Sequence, residues 1–237
     1  DVSANFRPDP KGGWIGLVDG LANGANTVVV RAGGGEKSVT LTNAPINGTL
    51  IAGPQQTPFL CENEEHKLAP AKDATCAAPS ISAYYYRNTN KEWKPFDPKG
   101  PRPTDIGMTK TTEGKDAPLI VYQEKGVINR SAYNISILHD PAAGPLPTPT
   151  APSAASGWNG KIAYVFGGGV QPNYHMGRGF GMTGTDGKFF LEDLGAAMQD
   201  NFITGGYAIL QGSLNVMGTN NDDVKSGETM MKVKEYF

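Results

Sequence analysis

The sequence predicts an α/β fold with a parallel sheet, preceded by a small β-sandwich of immunoglobulin-like size. Three observations carry this. Residues 13 to 52 alternate in the manner of short antiparallel strands. Beyond residue 160 the pattern changes to strand, helix, strand, helix. Glycine and proline, 31 and 18 of 237 residues, favour strands and turns over a helical bundle.

In the first module, "TVVVRA" (27–32) and "KSVTLTNAP" (37–45) are β-branched runs separated by the turn signal "GGGE". "WIGLVDGLANGAN" supplies a strand before them and "GTLIAG" one after. Residues 53 to 117 lack a sustained period, yet they hold Tyr84, Tyr85, Tyr86 and Trp93, rings that favour burial over a flexible linker. Packing between domains is the plain reading of these rings; stacking on a sugar or aromatic ligand is the alternative. From 117 to 141, two alternating runs flank "EKG" and predict a hairpin. The insert "PAAGPLPTPTAPSAASG" reads as a solvated loop.

"KIAYVF" (161–166) and "YAILQGSL" (207–214) are short apolar runs suited to buried strands. Between them Leu191, Leu194, Ala197, Met198 and Phe202 lie near one helical face. A last helix is expected from an N-cap at Ser226, with Met230, Val233 and Phe237 at helical spacing. The expected divisions are a β-sandwich module (1–56), an ordered connecting region (57–117) and the α/β part (118–237).

The formal net charge of -2 gives no electrostatic reason to expect nucleic acid or an anionic membrane. No run approaches the roughly 18 apolar residues needed to span a bilayer. The first residue, Asp1, fits either a processed N-terminus or a shortened chain. Cys61 and Cys76 fit a disulfide closing one loop, which points to the periplasm or the exterior; two free thiols are the alternative. Only His66 lies near them, so a zinc site is not expected, and "TNNDD" (219–223) lacks the spacing of a calcium loop. No metal and no cofactor are expected. Sequons at Asn47, Asn129 and Asn134 matter only in a glycosylating source.

The chemistry-bearing stretch is "KIAYVFGGGVQPNYHMGRGFGMTG" (161–184). Its G-x-G-x-x-G stands twelve residues beyond Phe166 rather than directly after the strand, so a dinucleotide cradle does not fit. Gly167, Gly168 and Gly169 do follow the strand at once. Bare amides there could form an oxyanion hole, whose donors are worth about 10²–10³ in rate each; a glycine turn without chemistry is the alternative. No G-x-S-x-G occurs, so a nucleophile is missing. Of the imidazoles His66, His139 and His175, only His175 is placed to line a site, and a solvent-exposed loop histidine is its plainer reading.

"GWNGKIAYVFGGG" resembles the strand and glycine turn of tannase and bacterial feruloyl esterase-type α/β-hydrolases, and "GGYAILQGSLNVMGTNND" resembles the strand that follows. "LTNAPINGTLIAGPQQTPFLC", "VYQEKGVINRSAYNISILHDP" and "ETMMKVKEYF" are similar to a largely uncharacterised branch of secreted bacterial tannase-like proteins with a β-sandwich ahead of the hydrolase. The resemblance implies that residues 118–237 are the N-terminal half of an α/β-hydrolase sheet. It implies a serine ester hydrolase whose serine, acid and histidine lie beyond Phe237, with that remainder of the precursor as a second chain.

In that reading Gly168 and Gly169 supply oxyanion-hole backbone, and Val170, Tyr174 and His175 line the substrate, an ester of aromatic or polymeric type. Phe166 stands where many esterases carry a histidine, a departure that leaves the detail of the turn open. The rival expectation is a non-catalytic accessory protein that binds a polymer or glycan.

Overall fold

A computed structural model describes residues 3–148, 157–164, 166, 174–177, 196–215 and 222–237. The chain divides into two compact units, Asp1–Ile46 with Thr148–Pro152, and Asn47–Pro147 with Ser153–Phe237.

The first unit carries two antiparallel ladders. β1 (Ser3–Pro8) pairs with β2 (Trp14–Asp19), and β3 (Gly24–Ala32) with β4 (Gly35–Asn43). The expected "GGGE" turn forms at Gly33 and Gly34, both at positive φ (57 and 79), as a tight hairpin requires. Val28 then faces Val39 across the ladder. Each ladder is two-stranded, and no side chain of residues 4–46 is buried. A sandwich needs two inner faces excluding water from a common core, so the described residues show hairpins and not the immunoglobulin-like sandwich. The strand expected at "GTLIAG" is also absent. The amides of Leu50, Ile51 and Ala52 bond instead to the Glu228 carboxylate, with distances of 3.0 and 2.9 Å for the last two.

The second unit is built on a six-stranded mixed sheet. Its strands are β5 (Ile81–Arg87), β6 (Trp93–Phe96), β9 (Ile120–Ile128), β10 (Ser131–Leu138), β11 (Ile162–Tyr164) and β12 (Ala208–Gly212), in the order β11-β12-β10-β9-β5-β6. A separate ladder joins β7 (Met108–Lys110) to β8 (Asp116–Pro118). Among the described strands of this sheet only β11 and β12 run parallel, and the other pairings are antiparallel. The fully parallel sheet suggested by the strand–helix alternation is therefore confined to its last pair.

The expected hairpin is present, but its turn is not at "EKG". Glu124, Lys125 and Gly126 lie inside β9, and the chain reverses at Asn129 and Arg130, with φ of 55 and 63. Gly126 serves packing rather than turning. It faces Tyr133, and a Cβ on it would lie 2.6 Å from the Tyr133 hydroxyl oxygen. Asn129, the residue type that tolerates positive φ, is held by three neighbours. Its amide donates to Asn47 Oδ1 (2.9 Å), its Oδ1 accepts from Gln55 (2.8 Å), and its Nδ2 donates to Thr229 (2.9 Å).

Strand alternation sends successive side chains to opposite faces. Tyr133, Ile135, Ile137, Ala208 and Leu210 pack with Val233 of α2 (Asp223–Tyr236). Val121, Leu138 and Ile209 pack with Ile203 of α1 (Ala196–Thr204) on the other face. α1 covers the described part of the first expected helix, whose Leu191 and Leu194 lie outside the described residues, and the last expected helix forms as α2. α2 is capped by Asp222, whose carboxylate accepts from the Lys225 amide, rather than by Ser226; the Ser226 hydroxyl donates to the Leu214 carbonyl. The aromatic run of β5 belongs to the sheet. Tyr85 and Trp93 flank the α1-side core, while Tyr84 and Tyr86 stack edge-on with Phe96.

The Glu228 side chain is 5% exposed. Burial pushes its carboxyl up, but the three amide bonds and Lys232 outweigh that and hold it below the usual carboxylate range. Truncation leaves the amides of Leu50, Ile51 and Ala52 without their acceptor. Glu228→Ala should therefore cost about 3 kcal/mol in urea unfolding, and a loss below 0.5 kcal/mol would remove this anchor from the account. Cys61 and Cys76 are bonded, closing a separation of 15 residues. The double change to serine should lower stability by about 3 kcal/mol in the chain-entropy treatment, read from the same unfolding curves.

Candidate functional site

The described residues that follow the glycine run, 174–177, are held against the disulfide loop. Leu60 and His175 form a parallel bridge, with the Leu60 amide donating to the Tyr174 carbonyl (3.1 Å) and the Met176 amide to the Leu60 carbonyl (3.0 Å). Met176 is fully buried among Leu68, Cys76 and Ala132, so it pins the segment to the sheet face that also carries α1. The loop is itself anchored. Arg130 at the hairpin tip donates to the Ala74 carbonyl (2.9 Å) and the Gln56 carbonyl (2.6 Å), and its guanidinium lies 4.9 Å from the Phe59 ring centre.

Next to the disulfide, Glu62 meets His175. Its Oε2 accepts from Nδ1 of His175 at 2.7 Å and from the Gly177 amide at 3.0 Å. The two side chains are 11% and 24% exposed. The Gly177 amide also lies 3.1 Å from that Nδ1, a contact that would need a lone pair there; the shorter contact, to a carboxylate that only accepts, favours the hydrogen on Nδ1. Leu60 and Tyr174 stand exposed beside the pair, at 59% and 54%. The short helical turn Asn63–His66 closes the cluster from below. Asn63 Nδ2 donates to the Cys76 carbonyl (3.1 Å), and His66 Nε2 donates to the Gly177 carbonyl (2.9 Å). Chemically, the arrangement offers an oriented imidazole with a carboxylate behind it and apolar surface alongside.

Of the residues expected to form a site, Tyr174 and His175 come together here with the Cys61–Cys76 disulfide. Gly168, Gly169 and Val170 lie outside the described residues. Glu62 was not anticipated, since it lies 113 positions from its partner; its sole sequence signal is adjacency to Cys61. His139 is structural. It is buried, accepts from Tyr84 at 3.0 Å through Nδ1 and donates through Nε2 to the Gly144 carbonyl at 3.1 Å, and burial lowers its pKa. Tyr86 is buried, and its neighbours in β5 and β6 pack into the sheet, which favours a core role over ligand stacking for this cluster. The described residues contain no group of three His, Cys, Asp or Glu side chains able to hold a metal.

A family model described as a tannase-like family of unknown function matches residues 1–237. The chain belongs to that family. Membership relates it to ester hydrolases, and the disulfide expected from the cysteine spacing is present. No curated protein and no solved structure matches it. No helix among the described residues is long and apolar enough to cross a membrane; with the disulfide, this is compatible with an extracellular tannase-like protein.

His66 gives the cluster a pH signature. Burial pushes its imidazole down to about 4, against the Gly177 carbonyl bond that raises it. An unfolded imidazole protonates near 6.5. Between those values the unfolded chain binds more protons, so stability is fully present above about pH 6.5 and falls as the pH drops toward 4. The loss should reach on the order of 3 kcal/mol. Urea unfolding across this window should show it in the wild type, and His66→Asn should flatten the slope.

Proposed function

We propose that the chain is the N-terminal part of a secreted serine ester hydrolase of tannase-like type, with Gly168 and Gly169 supplying oxyanion-hole backbone. The observation that carries this reading is the position of the glycine run. Counted from β9, β11 is the third strand, and the segment after it leads to α1, the first helix of the sheet. Hydrolases with a nucleophile elbow take an oxyanion amide from this connection. The parallel pairing of β11 with β12 adds support, because open α/β sheets bind ligands beyond the carboxyl ends of their parallel strands. In this reading residues 118–237 are the first half of an α/β-hydrolase sheet and further polypeptide, as a second chain, brings the serine. Tyr174 and His175, with Val170, line the substrate, an aromatic or polymeric ester.

A second reading, a polymer- or glycan-binding accessory protein, draws on the first unit. Trp14 and Val39 stand 71% and 49% exposed on its ladders, surface suited to a flat ligand. The two readings separate on the full-length protein. Hydrolysis of an aromatic ester, reduced about 10²–10³-fold in kcat by Gly169→Pro, supports the hydrolase. Retention on insoluble polymer with no hydrolysis of any ester supports the accessory module.

A further inference from the structure

We propose that the outer edge of β11 is the docking surface for the further polypeptide of the hydrolase reading, which adds an apolar strand parallel to β11. The proposal rests on that reading for its partner and adds where the partner binds and in which direction it runs. β11 ends the described sheet, with β12 on one side only. Natural edge strands are commonly guarded against pairing by charged side chains or proline. Ile162, Ala163 and Tyr164 carry neither. Their β12 partners Ala208, Ile209 and Leu210 are fully buried, whereas all three β11 residues are only half-buried.

The handedness of the chain sets the direction in which this sheet grows. Between β11 and β12 the chain forms α1 on one face, and it returns as β12 on the β10 side of β11. α2 follows β12 on the opposite face, where Val233 packs with Ala208 and Leu210. Crossovers between parallel strands are right-handed in nearly all sheets. A right-handed return over one face moves one way along the sheet, and over the other face it moves the opposite way. A parallel strand that follows α2 must therefore pass β11, because β10 and β11 already flank β12. The outer edge of β11 is the place left for it.

The end of α2 lies where such a strand would begin. The Phe237 ring meets Trp158 edge-on at 5.4 Å. The Trp158 indole in turn donates to the carbonyl of Lys161 (2.9 Å), the residue before β11. The helix thus leads back to the starting end of β11, and connections of this kind take about 2–6 residues. A second copy of the chain fits less well, since a two-fold pairing of one edge with itself is antiparallel. Apolar side chains flank the edge. Ile162 and Tyr164 border the α2-side core, and Phe166, 54% exposed, lies beyond the strand's end with its ring 5.1 Å from that of Tyr164. A strand rich in Val, Ile or Leu would cover them, the composition that parallel strands carry.

Amide hydrogen exchange on the full-length protein tests this without any variant. An interior strand has both edges paired, so the amides of 162–164 should exchange within about 10-fold of those of 208–212. Any of them exchanging faster than that leaves the edge open to water and overturns the proposal. The occupant is identified with Phe166→p-benzoylphenylalanine in the full-length protein, irradiated and mapped by mass spectrometry. A crosslink to polypeptide beyond Phe237 supports the proposal. Crosslinks confined to residues 1–237, of the same or another copy, overturn it. Where no crosslink forms, or this variant fails to fold, the exchange result decides.

Ester hydrolysis, read on the same wild-type sample, separates this proposal from the reading beneath it. Activity with an open β11 edge ends the docking surface and leaves the hydrolase reading standing. A covered edge on a protein inactive on every ester keeps the docking surface and ends the hydrolase reading.

Discussion

The reversal between β9 and β10 holds Asn129 and Arg130 at positive φ, a conformation that costs a residue with a side chain roughly 1–2 kcal/mol. The surroundings offset that cost residue by residue. Asn129 spends its amide, its Oδ1 and its Nδ2 on Asn47, Gln55 and Thr229, and Arg130 spends its guanidinium on the carbonyls of Gln56 and Ala74. The tight turn sets Ser131 opposite Ile128 and Leu138 opposite Val121. A slip of one residue would move Ile135 and Ile137 off the α2 face and Leu138 off the α1 face together. Both cores, and the edge strands that extend them, depend on this pairing.

The same arginine connects the fold to the candidate site. One carbonyl partner, Gln56, precedes the disulfide loop and the other, Ala74, lies within it near its end, so the hairpin tip holds the loop that presents Glu62. From there Glu62 reaches His175 and Gly177, beside the Leu60 bridge and the His66 bond to the Gly177 carbonyl. The imidazole is thus placed by a rigid sheet and a covalent loop.

The sequence made the period-two elements readable where each strand has one polar and one apolar face. β3, β4, β9 and β10 were visible for this reason, while β11 and β12 were visible as short apolar runs. It misled where a residue's usual meaning was overridden by a tertiary neighbour. Gly126 reads as a turn, but its missing side chain is needed beneath Tyr133. Leu50 and Ile51 read as a strand, but their amides are committed to Glu228. Ser226 reads as a cap, yet Asp222 comes first and takes that place. The β5 run gives no alternation because Tyr84, Tyr85 and Tyr86 are aromatic on both faces. In the site, residue types were legible and partnership was not: no local pattern links Glu62 to an imidazole brought to it only by folding.

The grip of Glu228 on residues 50–52 has a consequence for how the protein is made. The contact spans up to 178 positions, so it cannot exist until α2 has left the ribosome. Lys225 and Asp222, which hold Gln56 at 2.8 and 3.1 Å, arrive with the same helix. During synthesis, then, residues 50–52 lack this acceptor while the hairpin and the Cys61–Cys76 disulfide can already form. A chain halted before residue 222 would keep its amides at 50–52 open to water and to other chains, which makes that stretch a natural place for a chaperone or a protease to distinguish unfinished copies from finished ones.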